Sequence, residues 1–115
     1  MALQPGDPAP QFEAVDQSGE TVRLSTLVED GPVVLFFYPK AMTRGCTAES
    51  CHFRDLRAEF EALDAQAVGI SADSVERQAE FDSRNDLDLP LLSDPQRSVA
   101  RAYGAKRPGL LVLSI

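Results

Sequence analysis

The chain has 115 residues, enough for one domain with its own hydrophobic core, so residues 1–115 are treated as a single domain. With 43% apolar residues, 25% charged residues and a net charge of -7 at pH 7, the composition is that of a soluble globular protein. Nucleic-acid and membrane partners are excluded as main partners, because both select for clusters of Lys and Arg. We expect a cytoplasmic protein, since no segment has the pattern of a signal peptide or of a membrane span.

The first half of the chain predicts a hairpin and then a buried strand. Two short β-type segments flank Ser18-Gly19, which indicates a hairpin. The run "VVLFFY", residues 33–38, is apolar throughout, as expected of a strand that is buried on both faces of a mostly parallel sheet. Pro39 should end this strand. After it, Phe53 and later apolar residues recur at steps of three and four, which predicts one amphipathic helix up to Leu63.

The second half continues the alternation. "QAVGIS", residues 66–71, reads as a strand, and the spacing of Asp73 and Glu76 resembles a capping box at the start of the next helix. "LPLLSD" reads as a third strand, and the last helix should stop at Gly104. Strand, helix, strand, helix, strand, helix predicts an α/β fold with a layered sheet.

Both cysteines lie in one stretch, "YPKAMTRGCTAESC", between the first buried strand and the first long helix. In α/β sheets, reactive groups gather where strands end and helices begin. With Thr43 as the helix N-cap, Cys46 takes the third helical position, where unpaired backbone N–H groups and the helix dipole favour a thiolate. Arg44 adds positive charge nearby. Cys46 is therefore a better candidate nucleophile than Cys51, which lies more than one turn further along.

The residues alone leave other interpretations of the cysteines open. They can be two half-buried small apolar side chains. A metal site is disfavoured, because Cys46, Cys51 and His52 point to different helix faces and a structural zinc site needs four ligands. In an intact helix, residues five apart have Cα atoms about 8–9 Å apart, beyond the roughly 7 Å limit of a disulfide. A bond between Cys46 and Cys51 would require the start of the helix to unwind.

The run "FFYPKAMTRGCTAESCHFRD" resembles the active-site segment of the peroxiredoxins. The Pro-x-x-x-Thr-x-x-Cys pattern of that family is matched by Pro39, Thr43 and Cys46. A second cysteine five residues later, here Cys51, is similar to the bacterioferritin-comigratory-protein or peroxiredoxin Q branch. The segments "PGDPAPQFEAVDQSGETVRLS", "VGISADS" and "PLLSDPQRSVARAYGA" resemble other landmarks of the family in the same order.

This resemblance implies a thioredoxin-like fold and an antioxidant, thiol-dependent peroxidase that acts on hydrogen peroxide or organic hydroperoxides without a metal or other cofactor. Cys46 is implied as the peroxidatic cysteine that becomes a sulfenic acid, and Cys51 as the resolving cysteine that forms a disulfide with it. Thr43 is implied to hydrogen-bond the peroxide or thiolate, and Pro39 to shield the pocket. A thioredoxin-like protein is the implied reductant, and a monomer or weak dimer is the implied state.

Three further residues are candidates with alternatives. Glu49 matches a glutamate of the family, but it can equally be a solvated carboxylate favoured by the helix dipole. Arg44 stands where the family usually has proline, and its guanidinium could lie beside the thiolate. Arg107 precedes the apolar run "LLVLSI", and it is either a counterpart of the family's active-site arginine or an exposed loop cation.

The family continues, after the segment matching "AYG", through a strand that carries this arginine, another strand and a helix. We therefore expect a fold that lacks the usual C-terminal strands and helix, with "LLVLSI" as a candidate replacement strand. An inactive remnant of the family is the main alternative to a peroxidase. A disulfide oxidoreductase of thioredoxin type is disfavoured, because the chain has no Cys-x-x-Cys motif.

Overall fold

The computed structural model describes residues 6–38, 44–104 and 111–114, and for residues 44–46, 49 and 111–114 it describes the backbone only. Strands and helices alternate along the described chain, as predicted. The elements are β1 (Glu13–Val15), β2 (Thr21–Arg23), α1 (Leu24–Leu27) with a 3-10 turn (Val28–Asp30), β3 (Val33–Phe37), α2 (Arg44–Asp55), α3 (Arg57–Ala62), β4 (Gln66–Ser71), α4 (Val75–Asn85), β5 (Leu91–Ser93), α5 (Ser98–Ala102) and β6 (Leu111–Ser114).

The strands form one mixed sheet in the order β2-β1-β5-β4-β3-β6. Parallel pairing, which the sequence led us to expect for most of the sheet, joins the three central strands β5, β4 and β3. The outer strands pair antiparallel, including the predicted hairpin of β1 and β2. The carboxyl ends of the central strands therefore meet at one edge, which is the edge where α2 begins.

Strand β6 occupies the position beside β3 at the edge of the sheet. It pairs antiparallel with β3, with Leu113 opposite Leu35. The apolar run "LLVLSI" thus supplies the replacement strand that the sequence suggested. This pairing has a clear benefit, because an uncovered β3 would leave a row of backbone N–H and C=O groups without partners.

Side chains of β3 alternate between two separate cores, one on each face of the sheet. Leu35 and Phe37 face a core that includes Val99 and Tyr103, near and within α5. Phe36, together with Tyr38 just after the strand, faces an aromatic core that is covered by α2, α3 and α4. We call this second core the aromatic core; its buried members are Phe36, Tyr38, Phe53, Ala67, Phe81, Leu87, Leu89 and Leu91.

The prediction of one helix up to Leu63 is wrong. The helix breaks at Leu56, between α2 and α3, although the Leu56 N–H still donates to His52 O at 3.1 Å. Phe53 is 7% exposed, as its spacing predicted, whereas Leu63 is 72% exposed. Leu63 lies in the turn into β4, where Asp64 has a φ of 55° and the chain has left the helix. Helical periodicity therefore does not predict burial at Leu63, because this residue is no longer in a helix.

The predicted capping box of α4 is also wrong, while the predicted stop of α5 is confirmed. Ser74, not Asp73, caps α4, and its Oγ accepts from the Arg77 N–H at 3.2 Å. At the end of α5, Gly104 has a φ of 78° and its N–H donates to Arg101 O at 3.1 Å. A positive φ of this kind costs glycine little, which explains why it ends the helix.

A second glycine, Gly31, lets the chain turn tightly into β3. Its φ is 133°, and an added Cβ would lie 2.0 Å from Asp64 O. The backbone of residues 31–32 therefore passes directly against the turn before β4, where the Gln66 N–H donates to Pro32 O at 3.1 Å. This contact aligns the starts of β3 and β4.

In the described part of the chain, no helix has the length and hydropathy needed to cross a membrane.

Candidate active site

The carboxyl end of β3 and the first turn of α2 flank the segment that the sequence singled out. The parallel ladder extends one residue beyond β3, because the Tyr38 N–H donates to Ile70 O at 3.0 Å. Helix α2 begins at Arg44, so Cys46 is its third residue, as predicted. The backbone N–H groups of a first helical turn have no partner within the helix, and the dipole favours an anionic sulfur there.

Most of the predicted site side chains lie outside the described residues. They are Pro39, Thr43 and Arg107 as whole residues, and Arg44, Cys46 and Glu49 as side chains on the described backbone of α2. The roles suggested for them stay predictions. Arg44 and Glu49 do lie within the first two turns of α2, on the same helix as both cysteines.

Cys51 is a half-buried free thiol in the middle of α2, and it packs against the aromatic core. Helix α2 is continuous from Arg44 to Asp55, so the backbone positions of Cys46 and Cys51 are those of an intact helix. This spacing, about 8–9 Å between Cα atoms, is too long for a disulfide. An intact α2 is therefore incompatible with a disulfide between the two cysteines, and such a bond requires α2 to open.

An aromatic stack holds the second half of α2 to the sheet. The rings of Phe53 and Phe36 are stacked with centroids 4.5 Å apart and an angle of 17° between planes. Phe53 also stacks with Phe60 of α3 at 6.1 Å, and Phe36 with Tyr38 at 5.8 Å. Because Phe53 is only two residues after Cys51, this stack limits how far α2 can unwind without loss of core packing.

A buried polar network lies beneath the carboxyl ends of the central strands. Its centre is Gln78 of α4, which is fully buried. The Gln78 Nε2 group donates to Ser71 Oγ at 3.1 Å and to Leu92 O at 2.9 Å, while Gln78 Oε1 accepts a hydrogen bond from the Tyr38 hydroxyl. The Ser71 hydroxyl donates to Asp73 Oδ2 at 2.6 Å. The network thus ties the residue before Pro39 to the ends of β4 and β5.

Asp94, the residue after β5, is a second buried polar anchor at this edge. It is 4% exposed, and its carboxylate accepts from the backbone N–H groups of Val99 at 3.2 Å and Ala100 at 2.9 Å. Its own N–H donates to Ser71 O at 2.7 Å. A buried carboxylate is tolerated where several donors replace its water. Asp94 therefore fixes the first turn of α5 against β4 and β5.

Sequence reasoning missed a charged group on the same helix as Cys51 that interacts with it electrostatically. Arg54 lies three residues later on α2, and its Nη1 donates to Asn85 O at 2.6 Å. A hydrogen bond to Asp55, together with attraction to Asp55, Cys51 and Asp86, raises the pKa of the Arg54 guanidinium despite partial desolvation. The spacing of three residues between Cys51 and Arg54 was a signal that could have suggested this pairing.

Among the residues whose side chains are described, no cluster of three or more His, Cys, Asp or Glu could hold a metal ion. The carboxyl edge of the central strands therefore combines three features. The start of α2 carries one cysteine, a second cysteine follows about one and a half turns later, and buried hydrogen bonds fix the surrounding strands.

Comparison with known proteins agrees with this geometry. The model of the AhpC/TSA family matches residues 5–113. The chain belongs to the AhpC/TSA family. A putative peroxiredoxin of Mycobacterium tuberculosis strain H37Rv is 56% identical over 109 residues, which are 95% of this chain and 70% of that protein. Peroxiredoxin Bcp of Bacillus subtilis is 42% identical over 103 residues, which are 90% of this chain and 65% of that protein.

A solved relative confirms the predicted fold. The crystal structure of peroxidoxin BcpB from Mycobacterium tuberculosis superposes with a TM-score of 0.88 at 50% identity, over 95% of this chain and 77% of that one. The thioredoxin-like peroxiredoxin fold and the assignment to the Bcp branch are therefore confirmed. The chain spans about two thirds of the length of the curated relatives that it matches.

Proposed function

We propose that this chain is a thiol-dependent peroxidase in which Cys46 reduces hydrogen peroxide or organic hydroperoxides and Cys51 resolves the product. The observation that carries the proposal is the position of Cys46 as the third residue of α2, at the carboxyl edge of the parallel strands. The second thiol, Cys51, follows on the same helix in a half-buried site. Membership of the peroxiredoxin family supports this assignment.

The first chemical step is attack of the Cys46 thiolate on one oxygen of the peroxide. An S–O bond forms, the O–O bond breaks, and the leaving oxygen takes a proton to become water or an alcohol. The start of α2 favours the thiolate over the thiol. Thr43 is assigned to hydrogen-bond the peroxide or thiolate, and Pro39 to keep water from the pocket. Arg44, Glu49 and Arg107 are candidates for charge stabilisation of the same step.

The second step is condensation. The Cys51 sulfur attacks the sulfenic sulfur of Cys46, an S–S bond forms, and hydroxide leaves and is protonated to water. A thioredoxin-like dithiol then reduces the disulfide and is itself oxidised. A cytoplasmic location, where such dithiols are kept reduced, and a monomer or weak dimer complete the proposal.

The experiment compares wild type, Cys46→Ser and Cys51→Ser in peroxide-dependent oxidation of a thioredoxin system. Wild type should turn over, and Cys46→Ser should not. Cys51→Ser should still form a sulfenic acid, trapped by a dimedone probe and seen by mass spectrometry, but no intramolecular disulfide. Equal rates for wild type and Cys46→Ser would refute the proposal. A chain that shows no cooperative unfolding by circular dichroism would instead favour the inactive remnant.

A further inference from the structure

Ser50, the residue before Cys51, carries an unsatisfied hydroxyl inside α2. Its side chain is fully buried, and its Oγ has no hydrogen-bond partner among the residues that the structure describes. A buried polar group without a partner weakens the state that buries it by roughly 5-fold to 150-fold in an equilibrium constant. The closed form of α2 therefore carries a penalty that an alanine at this position would not have.

The unsatisfied Ser50 hydroxyl lies in the part of α2 that must open for a disulfide to form. A bond between Cys46 and Cys51 needs the helix between them to unwind, because their Cα atoms are about 8–9 Å apart in the intact helix. Ser50 lies between the two cysteines, so the same unwinding brings its hydroxyl into water, where it gains hydrogen bonds. The buried Phe53, three residues later, marks the point at which the helix stays attached to the aromatic core.

We propose that Ser50 is a positioning residue for the resolving step. Its buried hydroxyl, which has no hydrogen-bond partner in the described part of the chain, destabilises the closed helix and thereby promotes formation of the Cys46–Cys51 disulfide. The chemistry is the condensation given above, or, in a thiol buffer, exchange in which the two thiols are oxidised and a disulfide reagent is reduced. The peroxide route rests on the proposed function, but the exchange route needs only the two cysteines.

The chain offers a matched control in Ser93 of β5. Its Oγ is likewise buried and without a hydrogen-bond partner in the described part of the chain, but β5 is not part of the segment that opens. Ser93→Ala and Ser50→Ala make the same chemical change. Both should stabilise the folded protein, and they should differ in which redox form they stabilise.

The first test measures the equilibrium constant of the Cys46–Cys51 disulfide against dithiothreitol for wild type, Ser50→Ala and Ser93→Ala. Ser50→Ala should shift the equilibrium toward the dithiol by at least about 5-fold, and Ser93→Ala should not shift it. Urea unfolding of each form gives a second readout. Ser50→Ala should stabilise the dithiol form and leave the disulfide form unchanged, whereas Ser93→Ala should stabilise both equally. A shift below twofold for Ser50→Ala, or equal behaviour of the two variants, would overturn the proposal.

A kinetic test separates this proposal from the proposed function. After one equivalent of hydrogen peroxide, Ser50→Ala should close the disulfide more slowly, relative to its own rate of sulfenic acid formation, than wild type does. If wild-type Cys46 does not react with peroxide, the proposed function fails, and the dithiothreitol equilibrium still decides the role of Ser50. Unchanged closure in a chain that does form the sulfenic acid would refute the role of Ser50 alone.

Discussion

Gln78 should be one of the most sensitive polar positions of this fold, and Gln78→Leu tests that. The side chain is fully buried and makes three hydrogen bonds, to Tyr38, Ser71 and Leu92. Leucine has a similar volume, so the change removes the hydrogen bonds while it keeps most of the packing. The Leu92 carbonyl and the Tyr38 hydroxyl then each lose their hydrogen bond to Gln78, while the Ser71 hydroxyl keeps its bond to Asp73.

The expected cost follows from these partners. Each buried polar group that loses its partner costs about 1–3 kcal/mol, and the added apolar side chain returns part of this. We expect Gln78→Leu to lower the free energy of unfolding by about 2–4 kcal/mol. Tyr38→Phe, which removes one of the three bonds, should cost about 1–2 kcal/mol. The double variant should cost about 1 kcal/mol less than the sum, because the two changes remove the same hydrogen bond.

The assay is urea unfolding of the reduced protein at pH 7, followed by circular dichroism, with unchanged m-values as the condition for comparing midpoints. Gln66→Leu serves as the control, because Gln66 is only partly buried and donates one hydrogen bond, to Leu27 O at 3.2 Å. It should cost less than about 1 kcal/mol. A strictly additive double variant, or a Gln78→Leu no worse than Gln66→Leu, would refute the view that this network ties the strand ends together.

Three further changes have defined outcomes. Phe53→Ala should lower the free energy of unfolding by about 3–5 kcal/mol, because it removes the ring that stacks on Phe36 and leaves a cavity. A cost below about 1 kcal/mol in the same urea assay would contradict a structural role for this stacked pair. Burial raises the pKa of Tyr103 to about 12 from 10.0, so the folded state holds this proton more tightly, and stability should fall as pH rises from 10 to 12. Tyr103→Phe should flatten that decline, and a thermal scan at pH 9 to 12 checks it. Gly31→Ala should destabilise strongly, since its Cβ would meet Asp64 O; an unchanged melting temperature would show that the turn can relax.

The sequence was sufficient to locate the helix start that carries Cys46. The apolar run before it and the amphipathic pattern after it both depend on local composition, and β3 and α2 follow them closely. The burial of Phe53 followed from the same helical spacing. Leu63 did not obey that spacing, because the requirement to turn into β4 ended the helix first. Local patterns cannot show where a neighbouring strand must begin.

The polar interior could not be predicted from local pattern. Gln78 in the middle of a helix reads as a surface residue, and its partner Tyr38 is 40 positions earlier. Their contact depends on the register of β3 against β4 and on the face that α4 turns to the sheet. Ser50 presents the same difficulty, since burial of a serine depends on what packs over that side of α2. Such residues become visible only once the elements are assembled.

The two cores lie on opposite faces of β3, so the sheet separates them from each other. If the first turns of α2 open as proposed, the change would act on the layer built around the aromatic core, because the core shared with α5 lies on the other face of the same strand. In the proposed peroxidase cycle, the aromatic layer would then loosen while the other core keeps the strands in register. On that proposal, α2 opens and closes while the rest of the domain stays folded.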